Sequence, residues 1–327
     1  VLGRVLSPII EDGASDPFTF ASKAERLVGE EKVCALFGCW TSASRKAVVR
    51  VVEEHDHLLF YPLQYEGFEA SRNVIYTGAA PNQQILPAVE WCAKTLGRGR
   101  AFLVGSDYVF PRKANEIVRM SLARLGGTCV GEDYRPLGGR DFEKIAAQIL
   151  GSGADVIFNT VNGDSNIAFF QALHNAGLRP NAVPVISFSI AEDELASIGT
   201  DLTAGHYCAW NYFQCIDTEA NQRFVSAFKH RHGQNRVTDD PIEAAYIAVQ
   251  VFARAVEKAH STDPRAIREA CRGLEYEAPG GQVKIDPENQ HTWTVARVGR
   301  IRPDGQFDLV WSSPDIIRPD PFLGGRR

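Results

Sequence analysis

Five times along this chain an apolar run stops at a small group of polar and aromatic residues, and a helical pattern follows at once. The runs end in Phe37-Gly-Cys-Trp-Thr-Ser42, Phe60-Tyr-Pro-Leu-Gln-Tyr-Glu66, Val104-Gly-Ser-Asp-Tyr108, Asn159-Thr-Val-Asn-Gly-Asp-Ser165 and Ile186-Ser-Phe-Ser189. In an open α/β sheet such strand ends gather along one crevice, where loops and helix N-termini direct hydrogen bonds at a ligand. The pattern points to a binding cleft.

Element by element, Val5 to Glu11 reads as a strand and Pro17 to Glu30 as a helix capped by Asp16. Val33 to Phe37 is apolar, and Ala47, Val48, Val51 and Val52 keep helical spacing within Ser42 to Glu54. Strands follow at Leu58 to Tyr61 and Val74 to Tyr76, then a helix over Asn82 to Leu96 with Pro81 at its start. Further strands begin near Ala101, Thr128, Val156, Val183 and His206. Helices between them cover Arg112 to Leu125, Asp141 to Leu150, Ser165 to Ala176 and Glu192 to Ile198. After Trp210 three helices come in succession, Glu219 to His230, Pro241 to Lys258 and Pro264 to Cys271, and Gly281 to Trp311 reads as hairpin strands. This is an α/β chain with a parallel sheet, and about ten strands in one sheet would be unusually wide, so two smaller sheets in two lobes are expected.

The length of 327 residues agrees with two lobes. A hydrophobic fraction of 44% and a charged fraction of 23% belong to an ordinary folded chain. With a net charge of -5 and dispersed Lys and Arg there is no basic face for nucleic acid. No apolar stretch is long enough to cross a bilayer, so the chain is not expected to be embedded in a membrane. Seven cysteines form no C-x-x-C pair, and an odd number cannot all pair. His55 with His57 and His230 with His232 sit two apart at helix ends, where side chains diverge, and read as solvated surface residues. No metal site and no cofactor is implied.

The strings Gly38-Cys-Trp-Thr-Ser-Ala-Ser-Arg-Lys46, Phe60-Tyr-Pro-Leu-Gln-Tyr-Glu-Gly67, Thr77-Gly-Ala-Ala-Pro-Asn-Gln-Gln84, Asn162-Gly-Asp-Ser-Asn166 and Ala209-Trp-Asn-Tyr-Phe213 closely resemble the urea-binding receptors of bacterial ABC transporters. Related short-chain amide-binding proteins are similar at Ser42, Arg45-Lys46, Tyr61-Pro62, Tyr65-Glu-Gly67, Gly105-Ser-Asp-Tyr108 and Ile317-Arg-Pro-Asp-Pro321. The resemblance runs from Val1 to about Pro321. It implies the type I periplasmic-binding fold: two doubly wound parallel-sheet lobes, joined by three crossovers, closing on a small ligand. Lobe 1 would be residues 1–79 and 213–295, and lobe 2 residues 80–212 and 296–327, with the cleft between. Members normally begin with a strand and a long helix ahead of the segment resembling Val1-Leu-Gly-Arg4, so the usual first strand and helix are expected to be missing here.

Urea is flat and uncharged, with four N–H donors and one acceptor, so its site needs acceptors around an edge and at least one donor. Aromatic walls would exclude water. Trp40, Tyr61 and Tyr108 follow strand ends directly and are assigned to the cleft; Tyr65 and Trp210 are further candidates that compete with ordinary core packing. Ser42 is placed to open a helix as its N-cap, a role compatible with ligand contact, and Thr41 stands beside it. Asp107, Asn162, Asp164, Ser189 and Glu192 are candidate acceptors, though Asp164 and Glu192 would equally serve at helix starts without a ligand. Glu66 reads as a turn-holding residue.

Enzymatic readings lack their parts. Gly163-Asp-Ser-Asn166 superficially resembles an esterase nucleophile motif, but no aspartate has a histidine three residues later, and Cys39 has no evident base. Gly97-Arg-Gly99 precedes its strand and lacks the third glycine of a dinucleotide fingerprint. The expected function is a non-enzymatic receptor that captures urea or a short-chain amide by hinge closure, partnered by an ABC transporter permease in the periplasm. The alternative is an amide-sensing regulatory protein, cytoplasmic in that case, or the ligand-binding domain of a larger sensor.

Overall fold

Asp16 starts the first helix as the sequence predicts: its carboxylate accepts from the Thr19 amide at 2.7 Å, and α1 spans Pro17–Gly29. The computed structural model describes residues 1–325; positions 326 and 327 of the expected second lobe lie outside them. After α1 come β1 (Leu36–Phe37), α2 (Ser42–Glu54), β2 (Leu59–Tyr61), β3 (Val74–Tyr76), α3 (Ile85–Trp91), β4 (Arg100–Ser106), α4 (Val109–Arg124) and β5 (Thr128–Arg135). The chain continues through α5 (Glu143–Ser152), β6 (Val156–Thr160), α6 (Ser165–Asn175), β7 (Val185–Ser187), α7 (Glu192–Ile198), α8 (Thr200–Thr203) and β8 (Tyr207–Trp210). The last part holds α9 (Glu219–His232), α10 (Asp240–Ala259), α11 (Pro264–Cys271), β9 (Glu275–Ala278), β10 (Gly281–Ile285), β11 (Thr292–Trp293), β12 (Arg297–Ile301) and β13 (Phe307–Ser312).

Two parallel sheets divide the strands. β1-β2-β3 form one, and a seven-stranded sheet has the order β13-β12-β8-β7-β6-β4-β5. The latter is parallel from β8 to β5 and antiparallel where β12 joins β8 and β13. Hairpin strands β11-β10-β9 make a third, antiparallel sheet. Strands β2, β3 and β6 are buried along their whole length, as parallel strands covered on both faces must be. On the large sheet, Phe142, Phe169 and Leu195 from α5, the α6 helix and its neighbour α7 cover one face, and Ile85, Ile117 and Leu122 from α3 and α4 the other. On the small sheet, α1 and α2 pack on one face, α10 and α11 on the other.

Two expected elements differ. Val5 to Glu11 forms no strand: no partner pairs with it, and Val5 and Ile10 are 94% and 88% exposed. Its alternation has no neighbouring ladder to complete, and a strand exists only through one. The helix expected over 82–96 is divided. A 3₁₀ turn, Pro81–Gln83, ends at Gln84 with φ -139°, α3 starts afresh, and a π turn over Cys92–Leu96 closes it. Pro87 lacks an amide hydrogen and is tolerated only in a first turn, which a start at Ile85 supplies.

Three chain passages run between the small and large sheets, near 77–84, 211–213 and 293–297, and one side chain ties them. Asn211 Nδ2 donates to the carbonyls of Gln83 and Val295, each at 2.9 Å. Asp240 accepts from the Asn211 and Tyr212 amides at 2.9 Å, and Arg297 reaches the carbonyls of Asn211 and Gly280. Residues 317–321 return to pack near Phe68, Asn82 and Asn289. All seven cysteines are free. Among the described residues no helix is long and apolar enough to cross a membrane.

Candidate functional site

The C-terminal ends of β1, β2, β4, β6 and β7 carry most of the residues that the sequence singled out, and contacts from Gln64 to Phe188 and from Lys113 to Phe68 link the exits of the two sheets. On the small-sheet side, α2 starts with Thr41 as its N-cap, accepting from the Ser44 amide at 3.1 Å. This corrects the expected cap: Ser42 is the first helical residue, and its hydroxyl is engaged elsewhere. Ser42 Oγ donates to Glu66 Oε2 at 2.5 Å and accepts from Arg45 Nη1 at 2.9 Å. Arg45 is wholly enclosed. Its guanidinium pairs with Glu66 and Glu69 at 3.0 and 2.9 Å and lies over the Tyr61 and Tyr65 rings at 4.9 and 4.7 Å. Burial opposes its charge, but Tyr61, Glu66 and Glu69 outweigh that and hold it firmly protonated.

Tyr61 is fully buried, with its hydroxyl 3.4 Å from the Trp40 carbonyl, while Trp40 itself is 51% exposed at the rim. Tyr65 belongs beneath the surface. It stacks on Tyr76 and His291, and its hydroxyl lies 2.7 Å from the Glu69 carbonyl and 2.6 Å from His291 Nε2. Burial pushes His291 down to about 3, so it is neutral; its Nδ1–H donates to the Asn289 carbonyl and Nε2 is left to accept. Tyr61, wholly buried in the same cluster, and Tyr65 are therefore both corrected from cleft wall to internal support.

On the large-sheet side, Tyr108 is half-buried directly before α4. It packs against the large-sheet core beside Phe110, and burial raises its phenol, with Tyr61 and Glu66 adding to the effect. Asn162 is 7% exposed; its amide N–H donates to Ser106 Oγ and its Nδ2 to the Thr160 carbonyl, both at 3.0 Å. Ser189 is 7% exposed, and its hydroxyl and that of Ser165, enclosed at the start of α6, find no partner among the described residues. Gln64 spans the gap, its Nε2 donating to the Phe188 carbonyl at 3.0 Å. Lys113 sits 4.5 Å over the Phe68 ring, a second contact across it.

The remaining candidates stand apart. Trp210 lies in the large-sheet core, its indole N–H donating to the Ile190 carbonyl, because the β8 pleat turns it inward. Asp107 is exposed and paired with Arg112 at 2.7 Å, and Asp164 is exposed without capping α6. Glu192 is buried against the Gln214 amide at 2.7 Å; burial raises its carboxyl well above the usual range, with Asp239 and Asp240 adding to it. It belongs to an acidic group beside the chain passages. His57 is also buried, its Nε2 2.8 Å from the Val33 carbonyl, and not solvated as expected.

Arg45, Glu66, Gln64 and Ser165 complete the site beyond the expected list of ligand contacts. All four stand in the strings that carry the resemblance, but Glu66 was expected only to hold a turn, and a Gln or Ser in an exit loop is ordinary until its unpaired atom is seen. Burial pushes the Cys39 thiol up to about 12 despite Arg45, which disfavours its thiolate.

Two doubly wound α/β layers with site residues at the strand exits between them define a type I periplasmic-binding fold. The chain belongs to the periplasmic binding protein domain family, matched across residues 1–327. Leu/Ile/Val-binding protein homolog 6 of Brucella melitensis is 24% identical over 283 residues, 85% of this chain and 72% of that protein. The solute-binding protein of an ABC transporter from Rhodopseudomonas palustris HaA2, solved with p-hydroxybenzoic acid, is 23% identical with a TM-score of 0.88, covering 98% of this chain and 88% of that one. A stretch of 126 residues is 33% identical to limonene hydroxylase of Geobacillus stearothermophilus; it is 38% of this chain and spans only 23% of that relative's length.

Proposed function

We propose that the chain is a solute-binding receptor for urea or a short-chain amide, held in the periplasm and delivering its ligand to an ABC transporter permease. The halves that close would be residues 1–79 with 213–295 and residues 80–212 with 296–327, hinged at the three passages that Asn211 ties. One named relative is called a Leu/Ile/Val-binding protein homolog and another was solved with p-hydroxybenzoic acid, which supports a receptor and leaves the ligand to be read from this cleft.

One observation carries the amide reading. Arg45, the cation at the heart of the site, is enclosed and neutralised by Glu66 and Glu69. A carboxylate ligand needs an available cation or a comparable donor set, because burying an unpaired charge is costly. What Tyr108, Asn162, Ser189 and the first turn of α2 offer is neutral hydrogen bonding between aromatic surfaces. That suits a flat, uncharged amide, with the helix start donating to its carbonyl. A ligand touching both halves stabilises closure through its greater affinity for the closed form.

Calorimetry of the purified chain against urea, formamide, acetamide, leucine and 4-hydroxybenzoate tests this. Saturable binding of an amide, without ammonia release, is expected, and Tyr108→Ala should weaken it at least tenfold, about 1.4 kcal/mol. Binding of leucine or 4-hydroxybenzoate alone would sink the amide reading.

A further inference from the structure

Gln64 is 8% exposed and divided in its tasks. Its Nε2 holds the Phe188 carbonyl at 3.0 Å, while its Oε1 is buried without a partner. The residue next to that carbonyl is Ser189, whose Oγ is also buried without a partner. A carboxamide is rigid and planar, so holding Nε2 on the Phe188 carbonyl keeps Oε1 close to the segment that carries Ser189. The two unpaired atoms come from opposite walls, one from the β2 exit loop and one from the β7 exit.

We propose that Gln64 is a specificity-determining latch: its Oε1 and Ser189 Oγ are paired acceptors that read the N–H edge of the ligand across the closing gap. The inference rests on the amide reading above and deepens it, naming an unsubstituted NH₂ group as the feature recognised. A site built to hydrogen-bond an N–H rejects an analogue lacking it, because its buried acceptors are then left unpaired. Phe188 keeps its place when Gln64 is altered, since Gln84 Nε2 also donates to its carbonyl, at 3.3 Å, and to Ala209 O at 2.7 Å.

The test measures acetamide, urea and N,N-dimethylacetamide binding by calorimetry for the unaltered chain, Gln64→Leu and Ser189→Ala, with thermal melting alongside. The unaltered chain should prefer acetamide to N,N-dimethylacetamide at least tenfold. Gln64→Leu should weaken acetamide and urea at least tenfold and bring the preference close to one; Ser189→Ala should lower it partway. A purely structural role would weaken all three ligands alike and leave the ratio standing, which would overturn the assignment. Should Gln64→Leu fail to fold, the ratio in Ser189→Ala decides: an unchanged value overturns the paired acceptors. If the unaltered chain binds no amide, the amide reading falls and this inference with it; if amides bind but the ratio ignores both substitutions, only the latch fails.

Discussion

Arg45 shows how much one side chain organises. It is wholly buried, fixes Ser42 Oγ, pairs with Glu66 and Glu69, and lies over the rings of Tyr61 and Tyr65. Removing one partner of a buried ion pair strands the other charge, at a cost of about 3–5 kcal/mol. Arg45→Met should therefore lower stability by roughly that amount. Guanidinium chloride unfolding measures it, since urea is itself a candidate ligand, and a loss below about 1 kcal/mol would mean that the two glutamates find other partners. The sequence offered Ser42 and Arg45 by their resemblance to a motif. It gave no sign that Ser42's hydroxyl would be held by Glu66, 24 positions on, because a three-way network has no local spacing.

At the scale of elements, the loop from Tyr61 to Glu66 owes its path to Gly78. A methyl on Gly78 would lie 2.1 Å from the Leu63 carbonyl carbon and 2.6 Å from the Gln64 nitrogen, both main-chain atoms that cannot swing aside. Gly78→Ala should cost about 1–3 kcal/mol and weaken amide binding by displacing Gln64. Gly29→Ala, with nothing within 4 Å of the added carbon and a helical backbone that favours Ala, serves as the control and should lower neither. Unfolding curves and calorimetry on the pair check this; equal behaviour would refute the tight approach. Helix starts were legible because caps and prolines act locally, as Asp16 and Pro17 do. The failed strand at Val5 to Glu11 was not, since alternation describes a face without saying whether a neighbour will cover it. Trp210 misled for a related reason: one register step decides whether a strand-end ring meets the cleft or the core.

For the molecule as a whole, two parallel sheets were readable from the number of strands, whereas the acids gathered at the passages were not. Asp239, Asp240 and Glu243 are raised by burial to about 7, 6 and 8, with Arg297 the neighbouring cation. Folding thus takes up protons: the stability from these groups is full below about pH 4, the unfolded carboxyl range, and declines as pH climbs through each folded value. His206 and His291, both lowered to about 3 by burial, act in the opposite sense, but only below their unfolded value of about 6.5. Between about pH 6.5 and 8 the acids prevail, and the melting temperature should fall as pH rises. Glu243→Gln should flatten that slope; an unaltered slope in the variant would exonerate Glu243.

Trp40 has a consequence for how such a molecule can be watched. Half in solvent, with its carbonyl beside the Tyr61 hydroxyl, its indole is positioned to lose water as a guest enters, whereas Trp91 and Trp210 are already dry. In the proposed cleft, occupancy should then shift the Trp40 emission to the blue above the background of half-buried Trp293 and Trp311, and a Trp40→Phe variant that keeps the shift would refute this.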